Sequence, residues 1–111
     1  MRNRTAWLLA AGLLTVAAAA LAQAPLAGDP KGAQKNIAMC EGCHGIEGYR
    51  TAYPDVYSVP KLGGQSATYL ANALHAYKAK HRSHPSMRGI AAGLSDQDIA
   101  DLAAYYSGAG K

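Results

Sequence analysis

Beyond its first two dozen residues this chain contains no Phe and no Trp. From residue 23 onward Leu, Ile, Val and Met together number 14 in 89 residues, with Ala and Gly supplying much of the rest. A domain of that length buries only about 60–65% of its unfolded surface, so it needs large apolar side chains or a staple such as disulfides or a metal. Its two cysteines, Cys40 and Cys43, rule out a framework of several bridges. The composition implies a core completed by something apolar that is not a side chain. The 111 residues allow one small domain and exclude a Rossmann unit with a second domain or a (β/α)₈ barrel. No internal repeat of solenoid length is present.

The opening residues have a separate purpose. Arg2 and Arg4 precede an apolar run from Ala6 to Ala22 that closes on Ala20-Leu21-Ala22. A charged start, an apolar middle and an A-x-A exit predict a cleaved export signal over residues 1–22 and an exported domain over 23–111. A later exit after Ala24 would leave Pro25 as the first residue. The competing reading is an uncleaved anchor, but the run has 17 residues with Gly12 and Thr15 inside it, short of the roughly 20 that span a bilayer. Losing Arg2 and Arg4 lowers the net charge from +4 to +2, which argues against a nucleic-acid partner.

Periodicity predicts an all-α domain of three main helices and two long loops. Asp29-Pro30 has the chemistry of a helix start, and Ala33, Ile37, Cys40 and His44 then form an apolar stripe of helical period that ends at Gly45. A second helix is expected from Ser66 to Lys80, with Leu70, Ala73, Leu74 and Tyr77 on one face. Ser95-Asp96-Gln97-Asp98 resembles a capping box opening a third, whose inner face carries Ile99, Leu102, Ala103 and Tyr106. Residues 45–65 and 81–94 are rich in Gly, Pro and Ser and read as loops; loops of that length in a small domain are functional or wrapped around something.

The chemistry sits at Cys40-Glu41-Gly42-Cys43-His44. Two thiols at i and i+3 and an imidazole at i+4 share one end of a helix, and C-x-x-C-H reads as a site for covalent haem c. Each thiol can form a thioether with one porphyrin vinyl group, and the neighbouring imidazole can reach the iron from the same side. Three plainer readings compete. A thioredoxin-like C-x-x-C needs a strand before it, and none precedes Cys40. A local disulfide would close too small a loop to add much stability. A zinc site could join Cys40 and Cys43 to His81 and His84, but it would leave His44 and the underfilled core without a role.

The iron's other face needs a ligand or an open position. Met39 lies beside Cys40, on the same side as His44. Met87, 43 residues after His44, is the candidate; a thioether opposite imidazole raises the potential and suits an electron carrier. An ordinary core methionine at 87, or His84 or His81 as a second imidazole, are the alternatives.

With these residues in place the chain resembles the class I cytochromes c, in particular the small bacterial monohaem kind related to the halves of periplasmic dihaem cytochromes. The likeness rests on Cys40-x-x-Cys43-His44, Val59-Pro60-Lys61-Leu62-Gly63-Gly64-Gln65, Met87, and Leu94-Ser95-Asp96-Gln97-Asp98-Ile99 with Leu102-Ala103-Ala104-Tyr105, and it spans nearly all of residues 30–107. It implies a class I fold wrapped around one haem, with Pro60 beside His44 and its carbonyl accepting the imidazole Nδ1–H. It also implies that Gly32 lets Tyr105 cross closely, which puts Tyr106 on the haem side or the surface; the helical period puts Tyr106 inward, and of the two the arrangement implied by the resemblance is preferred.

Residues 46–58 are fuller than this family's loop often is. Tyr49, Tyr53, Tyr57 and Arg50 are candidate donors to the haem propionates, with simple packing as the alternative, and Gln65 is a further candidate. The basic stretch Lys78, Lys80, His81 and Arg82, with Arg88, would form a rim that steers acidic redox partners to an exposed haem edge, or else a solvated helix end. The expected function is a periplasmic electron shuttle that docks transiently with redox proteins and is not an enzyme. The alternatives are the haem subunit of an oxidoreductase complex and a ligand-binding or peroxidatic protein with an open iron position.

Overall fold

Helix starts in this chain are set by side chains that satisfy first-turn N–H groups, and three of the four helices show it directly. The computed structural model describes residues 24–53 and 55–108; the expected leader, residues 1–22, lies outside them. The helices are α1 (Gln34–His44), α2 (Ala67–Lys78), α3 (Pro85–Ala92) and α4 (Asp96–Gly108). Among the described residues there is no strand, only an isolated antiparallel bridge between Arg50 and Ser58. None of these helices is long and apolar enough to cross a membrane.

Ser66 caps α2, its side chain accepting the N–H of Tyr69 at 3.1 Å. At α4 the capping box is complete: Ser95 Oγ accepts the Asp98 N–H at 3.1 Å, and Asp98 Oδ2 accepts the Ser95 N–H at 2.9 Å. α1 departs from expectation. The Asp29 side chain does accept the Lys31 N–H at 2.9 Å, but residues 30–33 form tight turns closed by bonds such as Gly32 N–H to Asp29 O at 3.0 Å. The regular helix begins only at Gln34. α2 stops at Lys78, two residues before the expected end.

The larger correction is α3. Residues 81–94 are not a bare loop; they carry an eight-residue helix that begins with Pro85 at its first position. Gly89, Gly93 and two serines mask it in the sequence, although Met87, Ile90, Ala91 and Leu94 keep helical spacing.

Packing follows the predicted faces. α2 lies against both α3 and α4, and α1 crosses α4. Ile99, Leu102, Ala103 and Tyr106 of α4 are all buried and join Ala33, Leu70 and Leu94 in one core, with Ile37 and Cys40 packed against it. The α1–α4 crossing is close. A Cβ at Gly28 would run into the Ala100 carbonyl and Ala104, and one at Gly32 would run into the Asp101 carboxylate. The atoms nearest that position belong to Asp101 and Asp29 rather than to Tyr105. Tyr106 is buried as the helical period predicts and also lines the cleft beside His44, as the resemblance implies, and Tyr105 stands edge-on to it with ring centroids 4.9 Å apart.

Polar contacts lock the same crossing. Asp98 pairs with Lys35 at 2.6 Å and accepts from Asn36 Nδ2 at 3.0 Å. Asp101 accepts the Asp29 N–H at 2.8 Å. The Lys35 ammonium, followed by the Ser95 bonds, holds the Asp98 carboxyl well below the usual carboxylate range. The Asp29 N–H and then the Gln97 amide lower Asp101 as well.

Candidate functional site

The last turn of α1 presents Cys40, Cys43 and His44, all half-buried, and the two cysteines are free thiols. Burial raises the pKa of the Cys40 thiol. The next segment is shaped by Leu62-Gly63-Gly64-Gln65, a turn closed by the Gln65 N–H to Leu62 O bond at 3.2 Å. Gly64 has φ +83, the left-handed conformation that such a turn requires at its third residue. Its N–H binds the Tyr106 carbonyl at 3.0 Å, anchoring the turn to α4.

That anchored segment brings Pro60 to His44, with 2.7 Å between His44 Nδ1 and the Pro60 carbonyl oxygen. A carbonyl can only accept, so Nδ1 carries the proton and Nε2 keeps its lone pair for a metal. On the neighbouring turn of α1, Glu41 Oε1 accepts the Tyr106 O–H at 2.9 Å, tying the motif to α4. Burial first and the Glu41 bond second push the Tyr106 hydroxyl far above its ordinary pKa, so it stays a donor.

A cleft with about 1060 Å³ of open space, solvent at its mouth included, lies beside this turn. Leu70, Leu74, Ile90, Leu94 and Leu102 form much of its apolar wall, and Cys40, His44, Pro60, Gln65 and Met87 all line it. Leu70, Leu94 and Leu102 thus serve both the core and the cleft wall. A flat apolar group bound to two sulfurs, with an imidazole and a thioether at hand for iron, fits this shape and this donor set.

Not every expected residue is there. Arg50 is exposed and paired through the backbone with Ser58, and Tyr57 stacks on His84; neither lines the cleft. His81 and His84 are also absent from its walls. Among the described residues no group of three or more His, Cys, Asp or Glu could hold a metal ion, so the zinc arrangement of Cys40, Cys43, His81 and His84 does not assemble. The structure adds Lys61, Tyr69, Tyr77 and Arg82 to the walls, and Met39 joins them. The Arg82 guanidinium lies over the Tyr77 ring, 4.7 Å from its centroid. Arg82 belongs to the expected basic stretch, but only the fold turns it toward the cleft. Two other members of that stretch are committed elsewhere. Lys78 Nζ binds the Leu94 carbonyl at 2.7 Å and Asp96 at 3.2 Å, and Arg88 binds the carbonyls of Arg82 and Lys80 at 2.7 and 3.0 Å.

A helical shell around an apolar cleft, with C-x-x-C-H on one rim, defines a class I c-type cytochrome. The family model described as cytochrome c matches residues 31–108, and the chain belongs to that family. It holds one haem c, attached covalently through Cys40 and Cys43. It is 41% identical over 100 residues to cytochrome c4 of Pseudomonas aeruginosa, an alignment covering 90% of this chain and 47% of that protein. It is 45% identical over 84 residues to cytochrome c-554(548) of Halomonas halodenitrificans, covering 73% and 96%. The crystal structure of reduced recombinant cytochrome c4 from Pseudomonas stutzeri superposes with a TM-score of 0.55 at 31% identity, over 75% of this chain and 50% of that one. The chain thus spans about half the length of the cytochromes c4 it matches and nearly all of cytochrome c-554(548).

Proposed function

We propose that this chain is a periplasmic single-haem electron carrier whose iron is held between His44 and Met87 and which docks briefly with redox proteins at the mouth of its cleft. The observation that carries the reading is that His44, with Nε2 left available by the Pro60 hydrogen bond, and Met87 both line the same apolar cleft as Cys40. The chemistry supplied by bound haem is reversible transfer of one electron at iron. The polypeptide attaches the group through Cys40 and Cys43, fixes the His44 tautomer through Pro60 and excludes water with the aliphatic wall. A thioether paired with imidazole favours the reduced iron and raises the potential. Gln65, Arg82 and Lys61 are the polar wall residues able to meet the propionates. Residues 1–22 act as the export signal.

Visible spectra of the purified, oxidised and reduced protein test this reading. The ferric form should show the weak long-wavelength band of sulfur-ligated iron, and the reduced form should not bind carbon monoxide at neutral pH. Met87→Ala should abolish the band and open the reduced iron to carbon monoxide. A band that survives the substitution, or carbon monoxide binding by the unaltered protein, refutes His/Met ligation.

A further inference from the structure

α3 has only eight residues, and a helix that short depends on how its first turn is held. Pro85 occupies its first position and has no N–H to satisfy. The residue before it, His84, is extended and serves as N-cap, its Nδ1 accepting the N–H of Met87 itself at 3.4 Å. Ser, Thr, Asp and Asn are the usual occupants of this position, so an imidazole there needs its ring fixed in orientation to act as acceptor. Tyr57 fixes it: the two rings lie 4.6 Å apart between centroids at an interplanar angle of 51°. Tyr57 is itself anchored, its N–H donating to Thr51 Oγ1 at 2.9 Å and its carbonyl accepting the Thr51 N–H at 2.9 Å. Neither His84 nor Tyr57 lines the cleft, whereas Met87 does.

The geometry points to His84 as a positioning residue for Met87, with Tyr57 as the prop that keeps its imidazole turned toward the Met87 amide. This deepens the proposed His44/Met87 ligation and rests on it. It also gives the tyrosine-bearing loop a purpose: the loop reaches the iron's sixth position through the backbone that carries the ligand. Asn, a good N-cap of similar reach, should replace His84 in this role, and Ala should not.

The test uses the ferric holoprotein and excess imidazole as an incoming ligand, following the rate at which the sulfur–iron band disappears. His84→Ala should speed this exchange about fivefold, the factor that ~1 kcal/mol of lost N-cap stabilisation gives. His84→Asn should bring the rate back to within twofold of the unaltered protein, Tyr57→Phe should leave it there, and Tyr57→Ala should raise it. If His84→Ala does not fold, the contrast between Tyr57→Ala and Tyr57→Phe decides. Unaltered exchange in both alanine variants, or His84→Asn as fast as His84→Ala, overturns the inference while the band still identifies Met87. A band that persists in Met87→Ala overturns the ligation reading and this inference with it.

Discussion

At the scale of single residues, the site is built by atoms that leave only one role open to their neighbours. The Pro60 carbonyl can only accept, so it decides which His44 nitrogen is protonated. Tyr106 works in the same way. It is buried against Cys40 and donates to Glu41, so Tyr106→Phe should destabilise the protein by about 0.5–1.5 kcal/mol in urea unfolding. Gly28 has no such latitude, since a methyl there meets the backbone of Ala100. Gly28→Ala should cost about 1–3 kcal/mol by the same assay. The C-x-x-C-H residues were legible in the sequence because their chemistry depends on spacing alone. The partner of Gly32 was not, because a glycine signals a close approach without naming what approaches.

Elements were legible wherever a polar side chain marks a boundary. Ser66 and the Ser95–Asp98 box open α2 and α4 where the sequence predicts. α3 was hidden because its apolar face is short and broken by Gly89, and because Pro85 reads equally well as a loop residue until His84 is seen to cap the turn. α2 ends in a Schellman motif, with His81 N–H bonded to Ala76 O at 2.8 Å and Lys80 N–H to Tyr77 O at 3.0 Å. Lys80 occupies its left-handed position at φ 64. Glycine accepts that conformation without strain, so Lys80→Gly should raise stability by about 1 kcal/mol, read as a higher urea midpoint. The α1–α4 crossing supplies a pH dependence. The Asp98 and Asp101 carboxyls are depressed in the folded state, so they contribute stability above the unfolded value near 3.9. That stability is lost as pH falls through the folded pKa values. Thermal midpoints should therefore drop below about pH 4, and Asp98→Asn should flatten that drop while lowering the midpoint at neutral pH.

On the scale of the whole molecule, the polypeptide is an open shell. Among the described residues Ile99 is the largest side chain that is fully buried, in keeping with the scarcity of aromatic and aliphatic residues. Replacing both Cys40 and Cys43 with Ala should give a chain that loses much of its far-UV circular dichroism along with its colour. Helical content equal to that of the holoprotein would show that the cleft stands without its occupant. Of the basic residues, Lys61 and Arg82 line the cleft and Lys80 and His81 are exposed, whereas Lys78 and Arg88 are engaged with backbone carbonyls. The run of basic letters thus overstates the cations that are free, and only the fold could show which are committed. Reduction by an acidic partner protein should slow as ionic strength rises, and stopped-flow rates at two salt concentrations check it.

The bond between Tyr106 and Glu41 joins residues 65 positions apart in the chain, and through it the cysteine-bearing turn leans on the last helix. Order along the chain therefore matters: the cysteine-bearing turn comes first, and its support follows 65 residues later. A chain that stops short of residue 106 lacks this brace, and its two thiols then sit on a turn with no tie to α4.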